Sequence, residues 1–331
     1  MLEQKILTEL KGKKNLLAFS AGGDSTALFF LLLKNNIKFD IAIVDYGVRT
    51  QSKEEVKYAQ ELANKYSLTC SIHVAPKITQ NFEAKARKIR YDFFEELIST
   101  CKYENLLTAH HLGDRFEWML MQFCKGSGCA ELAGMQSVEY RDNYKLIRPL
   151  LHVDKSELLE YLHVEDIKYF EDDTNLDESI KRNAFRHKYS LPLLKDNLAG
   201  IKKSFEYLDE DKNTLIQNVQ VLHVEQFIYF KNSNTRTNIY TIDKYLKTIG
   251  YMLSASERSL LKDENTLIVG RKYVININEN FVFITPYIQD INMPKEFKEK
   301  MRTLHVEPKL RPYFYENEKS FEVLKELLTS V

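Results

Sequence analysis

Residues 15–33 read NLLAFSAGGDSTALFFLLL. A short apolar run, typical of a buried strand, leads into the polar loop Ser20-Ala21-Gly22-Gly23-Asp24-Ser25, and an apolar run typical of a helix follows from Thr26. Backbone N–H groups in such a turn point at one spot, and the helix N-terminus adds partial positive charge. The stretch therefore predicts a site for a pyrophosphate or triphosphate, with hydroxyl donors from Ser20, Ser25 and Thr26.

This loop differs from two common nucleotide-binding loops. No lysine follows it, so the Walker pattern G-x-x-x-x-G-K-[ST] is absent, and no G-x-G-x-x-G fingerprint is present. A carboxylate repels phosphate unless a metal ion lies between them, so Asp24 predicts Mg²⁺ coordination. The alternative is an ordinary connection capped by Ser or Asp, which is common between strands and helices.

The composition is typical of a soluble globular protein. The 331 residues are enough for about two domains, with 44% apolar and 28% charged residues. A formal net charge of zero argues against a protein that coats nucleic acid nonspecifically, but not against local basic faces. Two segments are candidates for such faces, although charged helical stretches are usually just solvated: residues 85–90 and 181–203.

The cysteines and the first residues bear on location. Cys70, Cys101, Cys124 and Cys129 form no C-x-x-C pair and no zinc spacing, which favours a reduced cytosolic compartment. The first residues carry an acidic side chain and no long apolar run, so neither a signal peptide nor a membrane span is predicted. We expect a cytoplasmic protein.

The first half of the chain alternates apolar runs with helical patterns. Predicted strands cover residues 15–19, 39–45, 69–74 and 105–109, and predicted helices cover 52–66, 81–99 with Asn81 as N-cap, and a segment reaching 123. Such alternation implies a parallel sheet covered on both faces. Ligands bind at the carboxyl ends of the strands in these folds, so Ser20, Asp45 and His110 are expected to converge on one crevice.

The sequence pattern changes after Pro192. A helical stretch from residue 194 to about 221 precedes β-type runs at 226–230, 266–269, 273–277 and 281–285, and Asn278-Glu279-Asn280 is typical of a hairpin turn. The fold class predicted is therefore α/β, with a parallel-sheet domain over residues 1–192 and a smaller α+β C-terminal domain over 193–331.

A second polar cluster follows the fourth predicted strand. His110, Asp114 and Glu117 are spaced by four and three residues, so they share one helix face at the mouth of the crevice. Two carboxylates and an imidazole there could hold a metal or an ammonium group. Zinc is disfavoured, because neither H-E-x-x-H nor a third close ligand is present. The alternative is a charged, capped helix start.

A third polar segment follows further along the chain. Asp173 and Asn175 are typical of a turn or a helix cap, and Arg182 and Arg186 are one helical turn apart. Such an arginine pair can clamp a phosphate or a nucleotide backbone.

These segments together resemble a known family. The loop at 20–25 is similar to the S-G-G-x-D-S signature of the PP-loop ATP pyrophosphatases, with Ala21 in place of the first glycine. We expect Ala21 to have negative φ and its methyl to point away from the phosphates. The further matches follow the order seen in bacterial tRNA(Ile)-lysidine synthetases, and they lie at residues 44–49, 81–91, 109–117, 126–135, 148–150 and 173–186.

The match covers about residues 15–190 and departs from the family pattern at several positions. Tyr46 stands where many members have His, Gly113 where many have a second Asp, and Glu131 where Gly is usual. Of these, Gly113 could weaken metal binding.

The resemblance implies a fold and a reaction. The fold is the PP-loop, or adenine nucleotide alpha hydrolase-like, fold. ATP adenylates the carbonyl oxygen at carbon 2 of the wobble cytidine in a tRNA(Ile) with a CAU anticodon, and pyrophosphate leaves. Free L-lysine then attacks that carbon and AMP leaves. The C-terminal domain would help to recognise the tRNA, and the sequence leaves the oligomeric state open, a homodimer included.

The resemblance also implies roles for individual residues. Ser20, Ala21, Gly22, Gly23, Asp24, Ser25, Asp45 and Arg90 would bind the nucleotide, with Mg²⁺ on Asp24. Asp114 and Glu117 would pair with ammonium groups of lysine, Arg182 would bind its carboxylate or the adenylate, and His110 would assist positioning or proton transfer.

Two rival functions remain open at this stage. A PP-loop tRNA sulfurtransferase would usually carry paired cysteines, and the spacing of Cys124 and Cys129 does not match. A nonenzymatic ATP-binding module would retain nucleotide without turnover.

Overall fold

The structure is a computed structural model that describes residues 1–47, 51–171 and 181–329, the side chains of Lys181 and Arg182 excepted. The chain forms two compact units, residues 1–209 and 210–331. Among the described helices, none combines the length and apolar character needed to cross a bilayer.

The first unit is built on a six-stranded sheet. Its strands are β1 Asn15–Ala18, β2 Phe39–Asp45, β3 Cys70–Val74, β4 Asn105–Leu107, β5 Val138–Tyr140 and β6 Lys145–Ile147. They lie in the order β3-β2-β1-β4-β6-β5, and every pair is parallel except β5 with β6. The parallel sheet and its four predicted strands are confirmed. Strands β5 and β6, of three residues each, were not predicted.

Helices of this unit cover both faces of the sheet. They are α1 Gln4–Leu10, α2 Gly23–Lys34, α3 Gln51–Tyr66, α4 Phe82–Cys101, α5 Leu112–Phe123, α6 Cys129–Leu132, α7 Lys155–Val164 and α8 Lys181–Phe185, followed by a π-helical turn Arg186–Ser190 and by α9 Leu191–Leu215. One buried cluster includes Phe29 of α2, and another includes Phe93 of α4. Asn81 takes the predicted N-cap position of α4, and its carbonyl accepts the Lys85 N–H at 3.0 Å, but its φ is 50° and its side chain makes no capping hydrogen bond.

The strand order places a crevice beside β1. From β1 the chain builds β2 and β3 on one side, then crosses to β4 on the other side. The loops after β1 and β4 therefore leave the sheet in diverging directions at its carboxyl edge, which is where open α/β sheets bind ligands.

The second unit is α+β, as predicted. Its five antiparallel strands, in the order β7-β8-β11-β10-β9, are β7 Leu222–Val224, β8 Phe227–Lys231, β9 Thr266–Val269, β10 Tyr273–Ile277 and β11 Phe281–Pro286. Its helices are α10 Thr235–Thr248, α11 Ala255–Asp263, α12 Lys295–Thr303, α13 Arg311–Glu316 and α14 Glu318–Thr329. The predicted hairpin is confirmed, because Asn278 Oδ1 accepts the N–H groups of Asn280 and Phe281 and so closes the turn.

Candidate active site

The loop between β1 and α2 is held by its own serine side chains. The Ser25 hydroxyl donates to the Gly22 carbonyl at 3.1 Å and accepts the Ser20 N–H at 3.2 Å. The two serine Oγ atoms lie 3.1 Å apart. Ser25 is buried, so its hydroxyl shapes the loop from within, and it does not face solvent as a free donor.

Ala21 has φ 59°, so the predicted negative φ is wrong. The left-handed conformation is the one that glycine adopts without strain, which explains why glycine is usual at this position in the family. The Ala21 methyl is fully buried in the core of the unit, and its carbonyl accepts the Phe170 N–H at 3.0 Å. Packing and this hydrogen bond hold the residue in a conformation that its own Cβ disfavours.

Gly23 is needed for packing between helices. A Cβ there would lie 3.2 Å from Leu159 Cδ2 of α7 and 3.4 Å from a ring carbon of Tyr169. Gly23, Asp24 and Ser25 are the first three residues of α2, and N–H groups in a first turn have no partner within their helix. Amides of this kind at a helix N-terminus are the donors that bind an anion.

Asp24 carries an oxygen suited to a metal ion. Its Oδ1 is buried and makes no hydrogen bond to any described residue, and its Oδ2 lies 3.8 Å from His111 Nε2. Mg²⁺ in nucleotide sites is bound by one or two carboxylates, with phosphate oxygens and waters completing the shell. The described residues contain no group of three or more His, Cys, Asp or Glu side chains that could cage a metal. The donor set therefore fits Mg²⁺ bound together with a nucleotide.

The loop after β4 brings two histidines to this edge. His110 Nδ1 lies 2.9 Å from the Thr108 hydroxyl. His111 is buried and caps α5, because its Nδ1 accepts the Gly113 N–H at 3.0 Å while Asp114 Oδ2 accepts the His111 N–H at 3.2 Å. Sequence reasoning gave His111 no role. The one available signal was its place directly before the helix, three residues ahead of an acid, and histidine is an uncommon cap.

Asp114 and Glu117 meet Arg186 and not an exposed crevice. Arg186 donates from Nε to Glu117 Oε2 at 2.8 Å and from Nη2 to Asp114 Oδ1 at 3.2 Å. In this structure Arg186 therefore pairs with carboxylates of α5, and its use as half of a phosphate clamp stays a prediction. Arg186 opens the π-helical turn, a local irregularity that is frequent at functional sites.

The end of β2 and the first half of α4 contribute the remaining predicted groups. Asp45 Oδ1 accepts the Gly47 N–H at 2.8 Å, which closes a turn after β2. The Tyr46 hydroxyl donates to the Ala86 carbonyl at 3.0 Å. Burial raises the pKa of Tyr46, and the positive charge of Arg90 partly offsets this rise. Arg90 is half-buried, so the structure places a guanidinium close to the end of β2.

Some predicted groups lie outside the described part of the chain. They are Val48 and Arg49, Asp173 and Asn175, and the side chain of Arg182.

A buried arginine anchors α5 below the site. Arg115 is fully buried, forms a two-pronged ion pair with Asp209, and donates from Nε and Nη2 to the Ala133 carbonyl at 3.1 and 2.8 Å. Its guanidinium carbon lies 4.3 Å from the ring centre of Phe205. These contacts fix α5, which carries Asp114 and Glu117, against α6 and α9.

The fold and the loop between β1 and α2 define the class of the chain, a PP-loop ATP-binding protein. The sequence profile of the PP-loop domain matches residues 2–192. The solved structure of the U34-tRNA thiolase NcsA from Methanococcus maripaludis has a TM-score of 0.53 over 76% of this chain and 86% of that one. At 18% identity this likeness shows the fold alone.

Curated relatives narrow the class. A tRNA(Ile)-lysidine synthase of Helicobacter pylori is 44% identical over 93% of this chain and 91% of its own length. The enzymes of Wolinella succinogenes and Campylobacter jejuni are 43% and 39% identical, and each match covers more than nine-tenths of both chains. The chain belongs to the tRNA(Ile)-lysidine synthase family.

Proposed function

We propose that this enzyme uses ATP to join L-lysine to carbon 2 of the wobble cytidine of a tRNA(Ile) with a CAU anticodon. One observation carries the proposal: the PP-loop and the carboxylate-bearing helix α5 both lie at the carboxyl edge of the sheet. Asp24 and Asp114 are each within 4 Å of His111 Nε2. Relatives at 39–44% identity over most of the chain support the same reaction and do not favour a sulfurtransferase or a nonenzymatic module.

The first step is adenylation of the base. The first-turn amides of α2, with Ser20, Gly22 and Gly23 beside them, would hold the departing pyrophosphate, and Asp45 and Arg90 would bind other parts of the nucleotide. Mg²⁺, held by Asp24 and the phosphates, would offset the negative charge of the triphosphate.

The second step is attack by the lysine amine. An ammonium group pairs well with two carboxylates, and in this structure the Arg186 guanidinium occupies that place on Asp114 and Glu117. We therefore propose that lysine competes with Arg186 for these carboxylates. The Arg182 side chain would bind the lysine carboxylate or the adenylate, and His110 would orient the reacting groups.

The remaining assignments are proposals of the same kind. Residues 1–192 would form the catalytic PP-loop domain and residues 193–331 a domain that recognises tRNA. The cytoplasm is the location we propose, since the substrates are tRNA, ATP and free lysine. A homodimer stays one open state of assembly.

Mass spectrometry tests the reaction directly. A tRNA(Ile) transcript with a CAU anticodon is incubated with the protein, ATP, Mg²⁺ and lysine, and the wobble nucleotide is analysed after digestion. We expect a mass increase equal to lysine minus water. No such increase from folded protein would overturn the proposal, and an increase equal to sulfur minus oxygen in the presence of a sulfur donor would favour the thiolase chemistry.

A further inference from the structure

His111 lies between the two halves of the candidate active site. Its side chain is 7% exposed, and it caps α5 through Nδ1, which accepts the Gly113 N–H at 3.0 Å. An acceptor nitrogen carries no proton, so in the neutral ring the proton is on Nε2.

The protonated nitrogen faces two carboxylates from different helices. Nε2 lies 3.8 Å from Asp24 Oδ2 of α2 and 3.6 Å from Asp114 Oδ2 of α5. Both distances are just beyond a direct hydrogen bond, and they place the Nε2–H dipole between the two carboxylates. Asp114 also accepts from Arg186 Nη2 and from the His111 backbone N–H, each at 3.2 Å. On Asp24 this contact engages Oδ2 and leaves Oδ1, the buried oxygen without a partner among the described residues, for a metal ion.

Gly113 is the residue that makes room for this ring. A Cβ at position 113 would lie 2.7 Å from His111 Cε1 and 3.0 Å from His111 Nδ1, closer than side-chain carbons approach. Any larger residue there would push the imidazole away from its place.

We propose that His111 is a positioning residue that fixes Asp24 of the nucleotide half relative to Asp114 of the lysine half, and that Gly113 permits it. The proposal rests on the proposed function. Capping of α5 is a separate task that any good cap residue could perform. The two tasks can be separated, because only an imidazole reaches from the cap position to both carboxylates.

The substitution His111→Asn separates the capping of α5 from the positioning of Asp24. Asparagine is among the best N-cap residues, so it can accept the Gly113 N–H and keep α5 capped, but its shorter side chain cannot span to Asp24. We expect an unchanged midpoint of urea unfolding, a fall of about 100-fold in kcat for tRNA-dependent pyrophosphate release, and little change in KM for lysine. Calorimetry with a non-hydrolysable ATP analogue and Mg²⁺ should show weaker binding than in the wild type.

Gly113→Ala provides the second arm, since it keeps the histidine and displaces it. We expect the same direction of change in kcat and in analogue binding. Because both variants act through one ring, the double variant should lose no more than His111→Asn alone. Additive losses, or wild-type kcat and analogue binding in a folded His111→Asn protein, would overturn the proposal.

The wild-type enzyme separates this result from the proposed function. If it forms lysidine and His111→Asn behaves as wild type, only the positioning role fails. If it forms no lysidine, the proposed function fails, while analogue binding by the variants still reports on the position of Asp24.

Discussion

Arg186 and Glu117 form an ion pair in which Nε donates to Oε2 at 2.8 Å, although 69 residues separate them in the chain. Glu117 is 1% exposed, so its charge depends on neighbours and not on water. The pair shows that Glu117 holds a cation, in the place where we propose that the lysine ammonium group binds.

Replacing this arginine should expose the competition with lysine. Arg186→Met should lower the free energy of unfolding by about 2 kcal/mol, because the buried Glu117 carboxylate loses a charge-assisted hydrogen bond. L-lysine should then raise the melting temperature of the variant more than that of the wild type, because its ammonium group takes the same place. Differential scanning fluorimetry measures both effects. Norleucine, which lacks the side-chain ammonium, is the control ligand, and equal shifts by lysine in the two proteins would contradict the idea.

Ala21 tests how a loop tolerates a strained residue. The left-handed φ of 59° costs a Cβ-bearing residue about 1 kcal/mol, whereas burial of its methyl returns a similar amount. Ala21→Gly should therefore change the free energy of unfolding by less than about 1 kcal/mol. Ala21→Val should destabilise strongly, since a β-branched residue resists positive φ and the site is fully buried. Urea denaturation distinguishes these cases, and a strongly destabilised glycine variant would show that the methyl matters more than the strain.

The sequence was sufficient for strands β1 to β4 and for the loop between β1 and α2, because both depend on local patterns. Strands β1 to β4 are apolar runs that a strand-to-helix alternation makes recognisable, and β10 and β11 flank an evident turn. The sign of φ at Ala21 was not recoverable in this way. It depends on the Phe170 N–H and on core packing, which come from distant parts of the chain.

In the candidate site, too, the sequence did not predict the contacts between distant parts of the chain. Spacing favoured His110, which the structure places before α5 and not on its face, and only the fold shows that His111 is buried beside Asp24 and Asp114. Arg186 reads as a surface cation until its partners on α5 are known. Side-chain pairings between elements far apart in sequence are thus the part that periodicity and motif spacing do not encode.

The anchor below the site predicts a difference between arginine and lysine. Arg115 bonds Asp209 with two nitrogens and Ala133 with two, an arrangement that needs a planar fork. Arg115→Lys should lower the free energy of unfolding by about 2 kcal/mol even though the charge is kept. Chemical denaturation checks this value. Arg302→Lys, at an exposed pair with Glu299, is the matched control and should change little.

A histidine beside this anchor predicts a pH dependence of stability. Burial, and then the positive charge of Arg115, lower the pKa of His152 below its ordinary value of 6.5, against weaker opposing effects of Glu3 and Asp209. Below pH 6.5 the unfolded chain therefore takes up a proton that the folded chain resists, so stability falls as pH falls. His152→Gln should remove this part of the pH dependence. The free energy of unfolding of both proteins is measured between pH 7.5 and 5.5. The same change with pH in the two proteins would exclude the effect.

Asp24 should contribute to metal binding and not to the stability of the fold. Asp24 Oδ1 makes no hydrogen bond to the described residues. A second carboxylate, Asp114, lies close to the same His111 Nε2 as Asp24 does. Removing the charge of Asp24 should therefore not weaken the fold. Asp24→Asn should keep the wild-type unfolding midpoint, reduce pyrophosphate release by about 100-fold and raise the Mg²⁺ concentration needed for half-maximal rate. Asp263→Asn, at the exposed end of α11, is the matched control. If the rate of Asp24→Asn depends on Mg²⁺ as in the wild type, the metal is bound by other groups. The unpartnered Asp24 Oδ1 would then need a different explanation.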